Sequence, residues 1–269
     1  MPHKAPYDPL VLASKAALMQ RLADYVRLGY RYWTSGEIPL DRANRLVDKF
    51  HRLYEVGRSR NQRCSAKRDG IANSVLLLYL PHTATAAQHA SGQEPYADTP
   101  RPYAESREPQ RESIRWFLLA TEGDGLVHEQ EKLRDAWSSN AQGRLQLTGY
   151  ELVKLPRAGK AEPSWTWRMT KDSYDAWRSR VIDTARRPGM DTTSLIELLY
   201  RSPGFAGIRS QVGKLAGLLR REWKRHRAEP FGELPRLGYA QRLPSRGTLL
   251  SRLRLKADGS GKGRNHLPH

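Results

Sequence analysis

The sequence predicts an α+β protein with an N-terminal helical hairpin, a small, mainly antiparallel sheet with crossing helices, and basic C-terminal helices ending in a tail. Two short apolar runs, ANSVLLLYL at 72–80 and SIRWFLLAT at 113–121, have the length and content of strands buried on both faces. On either side of them apolar residues recur every three or four positions, the spacing of amphipathic helices. Hydrophobic residues make up 38% of the 269, below the usual share, so one substantial core with polar extensions is expected.

Residues 1–57 form a helical region. Asp8 and Pro9 suit the cap and first turn of a helix over 10–28, with Gly29 as its stop. A second helix over 40–54 places Leu40, Ala43, Val47, Phe50 and Tyr54 on one face and Arg42, Arg45, Lys49 and Arg52 off it. The intervening YRYWTSGEIP is longer than a helix-turn-helix connection, so a simple hairpin is expected.

Residues 58–187 form the α+β core. It opens at 58–69 with five cations against one anion and almost nothing apolar, which predicts a solvated basic loop. After the first apolar run, residues 81–110 carry five prolines among Gln, Glu and Ala, which predicts a mobile insertion. The second run exits through EGDG into LVHEQEKLRDAW, a predicted helix with Leu126, Leu133 and Trp137 on one face. RLQLTGYELVKLP (144–156) alternates, changes phase at Gly149 as a bulge would, and pairs with SWTWRM (164–169) as a hairpin. Thr170 then caps a helix with Tyr174, Trp177, Val181, Ile182 and Ala185 inward, ended by Pro188 and Gly189.

Residues 188–269 form the basic C-terminal region. Two helices are expected over 192–227; the second, from about 207, puts Ile208, Val212, Leu215, Leu219 and Trp223 on its inner face. Weak periodicity beyond 228 and a Gly-rich end predict a disordered tail.

Charge points to the partner. Residues 201–269 hold sixteen Lys/Arg against four Asp/Glu, which is +12 of the net +18. Arg outnumbers Lys 34 to 12, and guanidinium groups clamp phosphates bidentately and stack on bases. Genome base composition can raise Arg overall but does not cluster it. Nucleic acid, DNA or RNA, is the expected partner, with other protein subunits beside it. Three groups are assigned to it: Arg42, Arg45 and Lys49; Arg58, Arg60, Arg63, Lys67 and Arg68; and Arg209, Lys214, Arg220, Arg221, Lys224, Arg225 and Arg227. Two groups brought together would make a phosphate track whose affinity falls steeply with salt.

Aromatics interleave with cations at Trp116, Tyr150, Trp165 and Trp167 beside Arg115, Lys154 and Arg168. Trp165 and Trp167 are the candidates for stacking unpaired bases. Alternation puts them with Met169 on one side of the strand, which favours packing over stacking. With its Arg-rich character, YELV strand and WTW hairpin, the chain resembles accessory proteins of bacterial plasmids and integrative elements, which implies a mobile genetic element as its setting.

The rival chemistry is a nuclease. Glu122, Asp124 and His128, near Glu129, Glu131 and Asp135, are the residues that could hold Mg²⁺ and move a proton. On a helix, however, Glu131 and Asp135 share a face while Glu129 points elsewhere, and a negatively charged helix start accounts for the cluster more simply. His82 and His89 are the acid–base pair that a metal-free reaction would use. No metal and no cofactor is expected: the phosphate-loop, dinucleotide, zinc-protease and serine-elbow signatures are all missing. A non-catalytic subunit of a nucleoprotein complex is the primary expectation; a nuclease and a protein-assembly subunit are the alternatives.

Cys64 is the single cysteine, so an intramolecular disulfide or Cys-based zinc site is excluded, and it reads as an incidental thiol. No apolar stretch approaches bilayer length and MPHKAPYDPL lacks a signal-peptide layout, so the expected address is the cytoplasm. The helix over 207–227 has the amphipathicity to lie on an anionic bilayer, but its apolar face equally suits a sheet, and a membrane partner is not expected.

Overall fold

A computed structural model describes residues 7–80, 113–156, 159, 161–240 and 247–257. The insertion predicted at 81–110 and the last residues of the tail lie outside them. Leu10–Leu12 form strand β1, and Ser14, not Asp8, caps helix α1 (Lys15–Arg27), its side chain accepting from Ala17 N at 3.4 Å. The helix therefore starts later than predicted, because LVL gains more from strand pairing than from an early helical turn. Its stop is as predicted, with Leu28 as cap and Gly29 at φ 95°.

The segment between the N-terminal helices contains a strand, β2 (Tyr32–Pro39). A single 3₁₀ turn then leads into α2 (Ala43–Tyr54), which buries Ala43, Val47, Phe50 and Tyr54 as predicted. The expected loop at 58–69 is instead a helix, α3 (Arg60–Arg68). Ser59 builds a capping box: its N–H donates to Gln62 Oε1 at 2.8 Å while its hydroxyl accepts from Gln62 N at 3.4 Å. Local capping, not an apolar face, specifies this helix, since only Ala66 is buried.

β3 (Ser74–Tyr79) and β4 (Ser113–Ala120) are the two apolar runs. The helix predicted after them shrinks to α4 (Leu126–Gln130), followed by β5 (Arg134–Asp135) on the edge of β2. Tertiary pairing overrides helix propensity here: Ala136 N donates to Arg31 O at 2.7 Å, and Arg31 grips Asp135. β6 (Gln146–Leu147) and β7 (Tyr150–Leu155) form a hairpin, so the phase change at Gly149 is a turn and not a bulge. Thr148 and Gly149 have φ of 42° and 77°, the conformation of a two-residue hairpin loop. β8 (Ser164–Met169) pairs with β7 from Tyr150–Met169 to Leu155–Ser164.

Three helices follow: α5 (Lys171–Arg186) capped by Thr170, α6 (Thr192–Tyr200) capped by Asp191, and α7 (Ala206–His226). Part of the expected tail is ordered as β9 (Gly247–Leu249) and α8 (Leu250–Ala257). Pairing with β1 and capping by Asp8, which accepts from Ser251 N at 3.1 Å, hold this piece against the sheet.

The main sheet runs β5-β2-β4-β3-β1-β9, antiparallel except where β1 meets β3, and β6-β7-β8 form a second sheet. Alternate residues of β3 and β4 enter two cores. Val75, Tyr79, Phe117 and Leu119 join α1, the small sheet and α5–α7; Leu76, Leu78, Ile114 and Leu118 join α2. Burial on both faces explains the continuous apolar runs. Among the described residues no helix is long and apolar enough to cross a membrane.

Candidate nucleic-acid interface

The inner face of α7 is fully buried at Ile208, Val212, Leu215 and Leu219. This helix also closes the edge of β8: Gln211 accepts from Met169 N at 2.6 Å and donates to Met169 O at 3.2 Å, and Gly207 N donates to Thr166 Oγ1 at 3.2 Å. With that face fixed, Lys214, Arg220, Arg221, Lys224 and Arg225 are left exposed. Arg225 reaches Glu222 at 3.0 Å yet keeps 68% of its side chain in solvent. Glu222 is buried and also accepts from Arg186 at 3.0 Å; that guanidinium first, then its own charge and those of Arg225 and His226, hold the carboxyl below the usual range.

Two cations assigned to the same surface make contacts within the fold. Arg227 donates to Ala185 O at 3.0 Å and Thr184 O at 3.3 Å, and also to Arg187 O, satisfying the carbonyls at the end of α5. Arg209 lies 3.5 Å above the Tyr239 ring.

The other two groups divide similarly. Arg42, Arg45, Lys49, Arg60, Lys67 and Arg68 are exposed. Arg58 is 14% exposed and donates to Glu55, to Ala72 O at 3.0 Å and to Asn73 Oδ1 at 3.3 Å; Arg63 donates to Val56 O at 3.3 Å. The groups on α2 and α7 are not side by side, because α2 packs on one face of the main sheet and α7 belongs to the core of the other.

The two stacking candidates also part. Trp167 is fully buried, with its Nε1 donating to Met19 O at 2.8 Å, so it is a core residue. Trp165, nearer the strand's open end, is half-buried, and its ring centroid lies 6.4 Å from that of Trp137 at an interplanar angle of 38°. Trp137, predicted to face inward on a helix, is 47% exposed. The two indoles border a cleft of about 310 Å³ whose lining, among the described residues, includes Arg144, Lys154 and Arg168 and no carboxylate. Lys154 Nζ is 5.8 Å from the Trp137 centroid and 5.7 Å from that of Trp165.

Trp137 is held from behind. Arg31 lies 4.9 Å over its ring, and Asp135 Oδ1 accepts both from Arg31 Nε at 3.1 Å and from Trp137 N at 2.8 Å. The Arg31 hydrogen bond, aided by that from Trp137 N, keeps the Asp135 carboxyl below its ordinary range. Glu151, buried beneath the cleft, orients two of the lining cations, accepting from Arg144 at 3.0 Å and Arg168 at 2.7 Å. Sequence reasoning missed Trp137 because Leu126, Leu133 and Trp137 imitate a helical stripe. The available signal was Asp135, which forms an Asx-type turn with the N–H two residues on.

The acidic candidates do not converge. Glu122 and Asp124 are exposed, while His128 Nε2 is 2.9 Å from Thr121 O and its ring meets Tyr32 edge-on at 4.9 Å. Among the described residues no group of three or more His, Cys, Asp or Glu is placed to hold a metal ion. His82 and His89 lie outside the described residues. Glu131 accepts from Tyr54 Oη at 2.7 Å, and burial together with that carboxylate raises the phenol pKa. Cys64 is an exposed free thiol.

Comparison of the chain with protein-family models, curated proteins and solved structures gives no match.

Proposed function

We propose that this protein binds nucleic acid, as a non-catalytic subunit of a nucleoprotein complex, with the outer face of α7 against the phosphate backbone. The supporting observation is that Lys214, Arg220, Arg221, Lys224 and Arg225 remain exposed on one helix whose opposite face is locked into the core. A rigid helix presents these charges without a backbone ordering cost, and each phosphate neutralised releases counterions. The surface sits on the side of the main sheet that also carries the cationic, indole-lined cleft.

The test is an anisotropy titration of labelled single and double strands at about 50 and about 200 mM salt. Wild-type affinity should fall steeply with salt. Replacing Arg220, Arg221, Lys224 and Arg225 together by alanine should remove up to about 3 from the log–log slope on single strands, at about 0.7 per lost contact, with the circular dichroism spectrum unchanged. An unchanged slope contradicts the assignment.

A further inference from the structure

We infer that the cleft between Trp137 and Trp165 receives an unpaired base, which makes the preferred ligand single-stranded; this rests on the nucleic-acid reading above and deepens it. Three features converge. Trp137 belongs to neither core cluster, yet it presents a large indole 47% exposed, so packing does not account for its presence. Its spacing from Trp165 is the second feature. A flat ring between two others needs two layers of about 3.5 Å, close to the 6.4 Å between these centroids, whose planes are tilted by 38°. Trp137 sits in a turn and not in a regular element, so seating a base asks only its side chain to adjust while its N–H stays bonded to Asp135. Trp165 is fixed on β8, where Arg27 donates to its carbonyl at 3.0 Å.

Charge is the third feature, and it selects the occupant. A two-indole wedge also suits an alkylammonium ion, and Lys154 already contacts both rings. Arg144, Lys154 and Arg168 line the cleft with no carboxylate among its described lining residues, however, and with Glu151 offsetting only one of the three charges this repels a second cation and attracts a group carrying phosphate. Arg168 uses its Nε on Glu151 and makes no other hydrogen bond among the described residues, so both Nη groups are open to a phosphate oxygen. An aromatic ring with an adjoining phosphate is a nucleotide. In the interior of a duplex both faces of each base are covered by its neighbours, so a single strand offers one to the cleft without the cost of unstacking and unpairing.

The experiment compares three ligands of equal length: oligothymidylate, an abasic single strand with the same phosphates, and duplex DNA. Wild type should bind oligothymidylate about tenfold tighter than the abasic strand. Trp137→Ala should abolish that preference, leaving abasic affinity unchanged, while Trp137→Phe keeps most of it. Equal wild-type affinity for the two single strands, preference for the duplex, or equal weakening of all ligands by Trp137→Ala overturns the inference. In each of those cases salt-dependent binding through α7 still stands. Salt-independent or absent binding of every ligand instead overturns the nucleic-acid reading, and this inference with it.

Discussion

On one face of the main sheet, α2 and its N-cap present Arg42, Arg45 and Lys49 above buried Val47, Phe50 and Tyr54; on the other, α7 presents Lys214, Arg220, Arg221, Lys224 and Arg225 above buried Ile208, Val212, Leu215 and Leu219. The same periodicity produces both, and as charge patterns they differ little. What separates them is their surroundings. The core beneath α7 also carries the β7–β8 hairpin, and with it the cleft where paired indoles stand among Arg144, Lys154 and Arg168. Cationic amphipathicity alone therefore does not distinguish the two faces, and the proposal of α7 rests on its sharing a core with the indole-lined cleft. A second lesson concerns arginines beside free carbonyls. Arg58 and Arg227 are drawn into backbone hydrogen bonds because helix ends and strand ends leave acceptors that a guanidinium satisfies.

The largest expected effect is on stability at Trp167, where alanine should cost about 3–5 kcal/mol in urea unfolding, as for other buried aromatics. Trp137→Ala should stay within about 0.5 kcal/mol of wild type, and a cost like that of Trp167→Ala would make Trp137 a core residue. Next is Arg227→Ala, expected to lose about 1–2 kcal/mol through the exposed carbonyls of α5, against about 0.5 kcal/mol or less for Arg220→Ala. Equal costs would show that Arg227 has no structural role.

A smaller effect is acid sensitivity. Asp135 and Glu222 are held below their ordinary ranges in the folded protein. The stability they contribute is thus fully present above their unfolded values near pH 4 and is lost as pH falls through the folded ones. Asp135→Asn should flatten the acid limb of a stability–pH curve below about pH 4 and redden tryptophan emission as Trp137 loosens. An acid limb identical to wild type would remove the Arg31–Asp135 pair from the account of how Trp137 is held.

Much of this architecture was legible where periodicity and burial agree. β3, β4 and β8 are apolar on the buried side, and α2, α5 and α7 each carry one inner stripe. β2 was not legible, because YWTSGEIP mixes polar residues with Gly36, over which Trp116 packs so closely that a Cβ would meet its Cζ2 at 2.7 Å. β5 and β9 span two and three residues and exist only through pairing with distant strands. α3 depends on a capping box in a sequence with no apolar stripe. At the candidate site, composition and periodicity marked the cationic face of α7 but not which arginines the fold would engage. The cleft was half visible: Trp165 was named, whereas its partner Trp137 reaches it only through tertiary pairing of β5.

The most direct test of the central claim sets the two cationic faces against each other. Single-strand affinity is measured across salt for wild type, for Arg42, Arg45 and Lys49 replaced together by alanine, and for Arg220, Arg221, Lys224 and Arg225 replaced together. The α7 variant should lose more than about tenfold in affinity and a slope of up to about 3, with the α2 variant staying within about threefold of wild type. Equal losses, or a larger loss from α2, would contradict the assignment of the binding face to α7.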